Sequence, residues 1–180
     1  MKKMSVSAIT TCALMAALMC VLGPMSVPIG PIPITLTNLV VYLTVFLLGW
    51  KGAAVSTVVY LLLGAVGMPV FSGFQGGFAK LAGPTGGFLI GFVFVALIGG
   101  FIVDKFQRKL IPSFLGLVLG TAVLYLFGTV WFVILMDSTV AHALSVCVVP
   151  FLPFDLGKIV AALVLGKAVR TGLEKANLIK

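Results

Sequence analysis

Residues 88–100 read FLIGFVFVALIGG and contain no charged side chain. A helix that crosses a bilayer needs about 20 mostly apolar residues, and this run together with its flanks provides them. Strands of a membrane β-barrel alternate apolar and polar residues. Neither this run nor VVYLTVFLLG at residues 40–49 alternates in that way. Both stretches therefore predict membrane-spanning α-helices.

The rest of the chain is also rich in apolar residues. Of its 180 residues, 61% are hydrophobic and 9% are charged, and the mean hydropathy is +1.28. Such a composition has too few polar side chains to cover a water-soluble globule of this size. We therefore expect an all-α integral membrane protein. The sequence has no internal repeat and no long linker, which favours a single membrane domain over residues 1–180.

Clusters of glycine and proline and short charged stretches divide the chain into six apolar segments of about the required length. We predict six transmembrane helices, over residues 5–22, 34–50, 52–66, 85–103, 112–135 and 153–173. The second and third segments are shorter than an ideal span. A tilt or an extension into a flanking loop would accommodate this.

The placement of basic residues predicts the orientation, because cytoplasmic loops are enriched in Lys and Arg. If the chain crosses the membrane six times, ten basic residues lie on the same side of it. They are Lys2, Lys3, Lys51, Lys105, Arg108, Lys109, Lys167, Arg170, Lys175 and Lys180. The opposite loops contain one basic residue, Lys80. Both termini are therefore expected in the cytoplasm. The net charge of +8 is explained by contact with the lipid bilayer, and we expect no nucleic-acid partner.

The sequence lacks the motifs of common catalytic and nucleotide sites. It contains no H-E-x-x-H, G-x-S-x-G or Walker-type G-x-x-x-x-G-K-[ST] pattern. The three cysteines have no metal-ligand spacing, and His142, the only histidine, lacks partners for a metal site or a triad. We therefore expect no catalytic residues and no metal, and any nucleotide that drives transport should bind another chain.

The segment PFLPFDLGK at residues 150–158 places Asp155 and Lys158 three positions apart, at the start of the last apolar run. Residues at this spacing share one face of a helix. An ammonium group in the first turn is unfavourable with the helix dipole, and ionisable groups inside a membrane are costly. The pair either binds a polar ligand, or Asp155 caps the helix while Lys158 snorkels outward.

The predicted outer loop at residues 68–84 is rich in glycine and carries several phenylalanines. Phe71, Phe74 and Phe78, with Phe88 just beyond, form apolar surface that a loop in water would not normally carry. The loop is either a mobile cap over a ligand pocket or a segment that rests on the lipid headgroups.

Small residues at four-residue spacing allow two helix backbones to approach closely. Gly87 and Gly91 form one such pair, and another is found at Gly116 and Gly120; we expect both pairs to pack inside the molecule. Ala13 and Ala17 form a third pair in the first helix. For these alanines, contact with an external partner helix is an open alternative to internal packing.

Four stretches together resemble BioY, the biotin-binding S component of energy-coupling factor (ECF) transporters. They are PIPITL at residues 31–36, GMPVF at 67–71, LAGPTGGFLIGF at 81–92 and PFLPFDLGK at 150–158. Their order and separation match that family along essentially the whole chain, whereas any one of them alone would be a weak signal.

The resemblance implies a BioY-like bundle of six helices in the cell membrane of a prokaryote. Such a chain captures biotin from outside and has no ATPase activity of its own. It works with a transmembrane coupling protein of the EcfT type and two cytoplasmic ATPases of the EcfA type. Ala13 and Ala17 match the position at which members of the family contact the coupling protein.

The resemblance also implies that Asp155 and Lys158 hydrogen-bond the polar part of biotin. Thr35, Asn38 and Gln75 are further candidates because of their placement, and Phe74 and Phe88 are candidates for apolar contact. A small secondary transporter that uses Asp155 as an ion or proton site is the alternative. It is disfavoured because no inverted repeat is visible in the sequence.

Overall fold

The computed structural model describes residues 6–28 and 32–175. Helical segments make up most of this part of the chain, and one two-stranded ribbon joins the first two helices. The elements are α1 (Val6–Leu22), β1 (Ser26–Val27), β2 (Ile34–Thr35), α2 (Thr37–Ala65), α3 (Phe78–Ala82), α4 (Gly86–Phe94), a π-helical turn (Val95–Gly99), α5 (Gly100–Lys105), α6 (Leu110–Met136), α7 (Val140–Cys147) and α8 (Leu152–Lys175).

Helix α2 reverses direction at Gly49, which has φ 69° and ψ −171°. Asn38 and Tyr60 would lie about 33 Å apart along a straight helix, yet both line one cavity. The chain therefore forms two antiparallel helical segments, residues 37–48 and 50–65. They correspond to the second and third predicted helices, and they meet about two positions before the predicted break at residue 51.

The remaining predicted helices agree with the structure to within two residues at each described end. Helix α1 accounts for the first, although Ser5 lies outside the described residues. The π-helical turn joins α4 and α5 into one continuous segment, Gly86–Lys105, and α6 and α8 account for the last two. The six predicted apolar helices are therefore all present.

Length and composition support several crossings of a membrane. Thr37–Ala65, Gly86–Lys105 and Leu110–Met136 are each long and apolar enough to cross, and the bent pair Val140–Cys147 and Leu152–Gly172 would form a fourth span. The reversal at Gly49 divides the first of these into two shorter passes. Helix α1 is a shorter apolar helix. The chain is a multi-pass membrane protein.

Three local elements were not predicted from the sequence. The second helix begins at Thr37, three positions after the predicted start at about Ile34, because Ile34 pairs with Val27 in an antiparallel ribbon. Helices α3 and α7 lie inside segments interpreted as loops. Helix α7 begins after Thr139, whose hydroxyl accepts a hydrogen bond from the backbone N–H of His142 at 3.3 Å. Its single short apolar face gives too weak a periodic signal to separate it from a loop.

Glycines allow the helices to pack closely around α2. Helix α2 contacts α1, the α4–α5 segment and α8, and α6 packs across α4 and α8. A Cβ atom on Gly91 would meet Leu124 of α6, and one on Gly120 would meet Val95 of the π-helical turn. Gly87 and Gly116 likewise face neighbouring helices. The prediction that both glycine pairs pack internally is confirmed.

The connections that carry most of the basic residues lie at one end of the bundle. Asp104, at the end of α5, accepts a hydrogen bond from the backbone N–H of Trp50 at 3.0 Å. Arg108 donates to the carbonyl of Phe46 at 2.9 Å, and Cys12 of α1 contacts Gly52. The positive-inside rule assigns this end to the cytoplasm.

Candidate ligand site

A cavity lies at the opposite end of the bundle, between β2, α2, α4, α6, α7 and α8. Its apolar wall is formed by Ile32, Phe88, Leu89, Phe92, Leu124 and Phe151. A mostly apolar cavity with a few polar groups fits an organic ligand of low molecular weight.

Asp155 is the centre of the polar part of this cavity. Its carboxylate is 3% exposed and accepts three hydrogen bonds from three elements. Tyr125 of α6 donates to Oδ2 at 2.7 Å, and Asn38 of α2 donates to the same oxygen at 3.0 Å. Lys158 donates to Oδ1 at 3.0 Å. A carboxylate offers about four acceptor positions, so one position on Oδ1 remains for a ligand.

A side chain on the adjacent strand orients Asn38. The hydroxyl of Thr35 donates to the amide oxygen of Asn38 at 3.4 Å. This contact leaves the amide nitrogen to face Asp155, because one end of the amide accepts while the other donates. Thr35, Asn38 and Asp155 therefore form one directional chain along the edge of the cavity.

Lys158 forms a partly buried ion pair with Asp155, and its side chain is 12% exposed. An ammonium group has three donors, and Asp155 takes one of them. The pair is neutral as a whole, which offsets part of the cost of placing each charge inside a membrane protein. The geometry favours a convergent polar site over the alternative in which Lys158 snorkels outward.

Comparison with known proteins assigns the chain to a family. The model of the BioY family matches residues 1–175. The chain belongs to the BioY family. It is 32% identical over 177 residues to the biotin transporter BioY2 of Lactococcus lactis, an alignment that covers 98% of this chain and 97% of the relative. It is 39% identical to the biotin transporter BioY of Thermotoga maritima, over 76% of this chain and 80% of that one.

A solved structure supports the same assignment of the BioY fold. The crystal structure of the S component for biotin from an ECF-type ABC transporter superposes with a TM-score of 0.86. The two chains are 28% identical, and the match covers 94% of this chain and 95% of the other. Both the sequence and the arrangement of helices therefore point to the same family.

Five of the predicted BioY site residues line the cavity together, namely Thr35, Asn38, Phe88, Asp155 and Lys158. Two do not. The side chain of Phe74 is 69% exposed and lies in a separate groove beside Pro24 and Met25. Gln75 is exposed and lies outside the cavity, and its backbone carbonyl accepts a hydrogen bond from the N–H of Phe71 at 2.9 Å.

Several cavity residues were not identified from the sequence. Tyr125 is the most important, since it contacts Asp155 directly. It lies in the middle of the long apolar helix α6, and a phenol hydroxyl within an apolar span was the available signal. Phe92, Phe151 and Thr85 also line the cavity, and the buried hydroxyl of Thr85 has no hydrogen-bond partner among the described residues.

The loop between α2 and α3 is anchored by Phe71 rather than by its exposed phenylalanines. Phe71 is fully buried and stacks edge-on against Tyr60, with ring centroids 5.5 Å apart. The hydroxyl of Tyr60 donates to the carbonyl of Val70 at 3.1 Å. Ser72, next to this anchor, lines the cavity, so the loop forms part of the cavity wall.

Proposed function

We propose that this chain is the biotin-binding S component of an ECF-type ABC importer, located in the cell membrane of a prokaryote. The observation that carries the proposal is the buried Asp155–Lys158 pair on a largely apolar cavity, in a chain of the BioY family. Biotin fuses a polar ureido ring to an apolar sulfur-containing ring with an aliphatic carboxylate tail, so it requires polar and apolar contacts in one site.

The site residues have complementary roles in this proposal. The remaining acceptor position on Asp155 suits a ureido N–H, and the remaining donors of Lys158 suit a ureido or carboxylate oxygen. Asn38, held by Thr35, contributes a second polar contact. Phe88 lines the apolar part of the cavity. We include Phe74 and Gln75 as residues that reach the ligand only when the loop at residues 68–84 closes.

Transport would require partner chains, because the proposed role of this chain is to bind the substrate. We propose a transmembrane coupling protein of the EcfT type and two ATPases of the EcfA type, which would bind and hydrolyse ATP. Ala13 and Ala17 lie on the exposed face of α1. This exposure supports the proposal that a partner helix packs there.

The secondary-transporter alternative has less support. An ion or proton site at Asp155 would need a carboxylate that is free to bind the cation, whereas Asp155 is paired with Lys158 at 3.0 Å. Biotin uptake that continues in cells without any of the partner ATPases would favour this alternative over the importer.

Calorimetric titration of the purified chain with biotin tests the proposed function. We expect saturable binding with one site per chain, and no heat with thiamine at the same concentrations. Binding of another vitamin in place of biotin would overturn the substrate assignment.

A further inference from the structure

A second cavity lies at the basic end of the bundle, far from the biotin site. It lies between the α5–α6 connection and the last turns of α8. Four basic residues line it, namely Arg108, Lys109, Lys167 and Arg170. Asp155 and Arg170 are about 22 Å apart along α8 at 1.5 Å per residue, so the two cavities are separate. We call this cavity the basic groove.

Contacts with α5 and α2 hold Arg108 at the edge of the basic groove. Asp104 pairs with Arg108 at 3.2 Å, and Arg108 also donates through Nε to the carbonyl of Phe46. Burial lowers the pKa of Arg108, Asp104 raises it, and the nearby Arg170 lowers it again. Among the described residues that line the groove, four are basic and none is acidic, which makes the groove attractive to an anion.

The backbone is held in an unfavourable conformation at this point. Gln107 and Arg108 have φ angles of 53° and 57°, in the left-handed region that favours glycine. Hydrogen bonds from Gln107 N–H to Asp104 and from Arg108 N–H to Val103 stabilise the bend. Such conformations are unfavourable and concentrate at functional sites. Here the bend brings Arg108 and Lys109 to the edge of the groove.

Apolar residues continue the basic groove along the start of α6. Leu110 is 41% exposed and Ile111 is 76% exposed, and Pro112 also lines the groove. A site for a free anion needs no such surface. A phospholipid combines a phosphate with acyl chains, so it requires basic and apolar surface side by side. The groove lies at the end of the apolar spans, where lipid headgroups are found.

We propose that the basic groove binds the phosphate headgroup of an anionic phospholipid, with one acyl chain lying along Leu110 and Ile111. Lys109 and Lys167 contact the phosphate, and Arg108 stays fixed by Asp104 and Phe46. Basic pockets between helices on the cytoplasmic side of membrane proteins bind such headgroups. Bound lipid would link α8 to the α5–α6 connection at this end of the bundle.

Native mass spectrometry of the purified full chain tests the proposal, with dioleoyl phosphatidylglycerol and phosphatidylcholine titrated in mixed micelles. The groove variant carries Lys109→Gln and Lys167→Gln. The matched control carries Lys51→Gln and Lys105→Gln, which remove the same charge at the same end of the bundle. All four lysines are exposed, so neither variant removes a buried group. The unfolding midpoint in phosphatidylcholine checks that both variants fold.

We expect one tightly retained phosphatidylglycerol per wild-type chain, and weaker retention of phosphatidylcholine. The groove variant should bind phosphatidylglycerol about 30-fold more weakly, equivalent to about 2 kcal/mol at 1.4 kcal/mol per decade. The control should lose much less affinity. Each single groove substitution should weaken binding about 5-fold.

Three results would overturn the proposal. Equal losses in the groove variant and the control would mean that net charge alone attracts the lipid. Equal retention of the two lipids by the wild-type chain would exclude recognition of the anionic headgroup. Displacement of phosphatidylglycerol by millimolar inorganic phosphate would assign the groove to a free anion instead of a lipid.

Discussion

Asp155 is a buried carboxylate whose neighbours come from distant parts of the chain. It is 117 positions from Asn38 and 30 positions from Tyr125, and both donate to its Oδ2. A buried carboxylate without partners would be strongly destabilising. Three donors and the charge of Lys158 make this one tolerable, and they hold it in one orientation.

Substitution of Lys158 or Asp155 should weaken biotin binding selectively. Lys158→Ala removes a charge-assisted hydrogen bond of about 1.5–3 kcal/mol, so affinity should fall roughly 10- to 150-fold. Asp155→Asn keeps the shape but replaces an acceptor-only group with a mixed one, which should weaken recognition of ureido N–H donors. Calorimetry on monodisperse samples measures both effects.

Lys51→Ala is the matched control, because Lys51 is exposed at the opposite end of the bundle. Its biotin affinity should equal that of the wild-type chain. If the Lys158 and Asp155 variants both stay within about a factor of two of wild type, far less than one decade, the ion pair has a structural role only.

Tyr125→Phe tests how much the charge of Asp155 strengthens the hydrogen bond between these two residues. The substitution removes the 2.7 Å hydrogen bond to a carboxylate and should lower the free energy of unfolding by about 1.5–3 kcal/mol. In an Asp155→Asn background the same change removes a neutral hydrogen bond and should cost only about 0.5–1.5 kcal/mol. Denaturant unfolding in detergent measures both values. Equal losses in the two backgrounds would show that the charge contributes nothing to this contact.

At the scale of elements, the reversal at Gly49 is the feature that converts one apolar run into two helices. Asp104 bonds the N–H of Trp50, which begins the second segment, and Arg108 bonds the carbonyl of Phe46 near the end of the first. The ion pair between Asp104 and Arg108 joins these two contacts. Backbone groups at helix ends otherwise lack hydrogen-bond partners. The Asp104–Arg108 pair therefore provides a partner to one backbone group on each side of the break.

Gly49→Ala should prevent this reversal. Alanine is unfavourable at φ 69°, and its Cβ atom would overlap the carboxylate of Asp104. We expect a large loss of monodisperse protein, or a much lower unfolding temperature, in fluorescence-detected size-exclusion chromatography. Gly172→Ala is the control, because it lies in α8 with open space around it. Normal behaviour of Gly49→Ala would show that the turn does not depend on this conformation.

The loop at residues 68–84 should become protected when biotin binds. Phe71 anchors it in the core, while Phe74 and Phe78 are 69% and 72% exposed, which leaves apolar surface for closure over the cavity. Hydrogen exchange with and without biotin should show the largest change in this loop. Unchanged exchange there would favour the alternative in which its phenylalanines rest on lipid headgroups.

At the scale of the whole molecule, α1 presents an apolar stripe that no described element covers. Its exposed apolar residues are Val6, Ile9, Ala13, Leu14, Ala17 and Val21. The buried side of the same helix, including Met15 and Met19, packs into the core. This division leaves one face for lipid or for a partner helix, at the position where small residues allow the closest approach.

Ala13→Leu and Ala17→Leu should abolish biotin uptake while leaving biotin binding intact. Leucine at either position would hold a partner helix away from α1 and weaken the packing on which association in a membrane depends. Uptake assays and pull-down with the coupling protein measure the effect. Ala168→Leu, at an exposed alanine of α8, is the control. Normal uptake in all three variants would show that α1 is not the coupling surface.

The sequence alone determined the membrane class, the six apolar helices and the segregation of basic residues. These properties are local, because each span must match the bilayer thickness and each flanking charge must suit its side of the membrane. The pairing of Asp155 with Lys158 was also predictable, since three-residue spacing places both on one helical face.

Only the tertiary structure decided which other residues surround that pair. Tyr125 and Asn38 reach Asp155 because α6 and the first half of α2 pack beside α8. Phe74 and Gln75 lie outside the cavity because Phe71 takes the buried position in their loop. Apolar helices of similar composition carry little information about their neighbours. Their arrangement depends on small residues at crossings and on the satisfaction of buried polar groups, both of which are properties of contacts between distant segments.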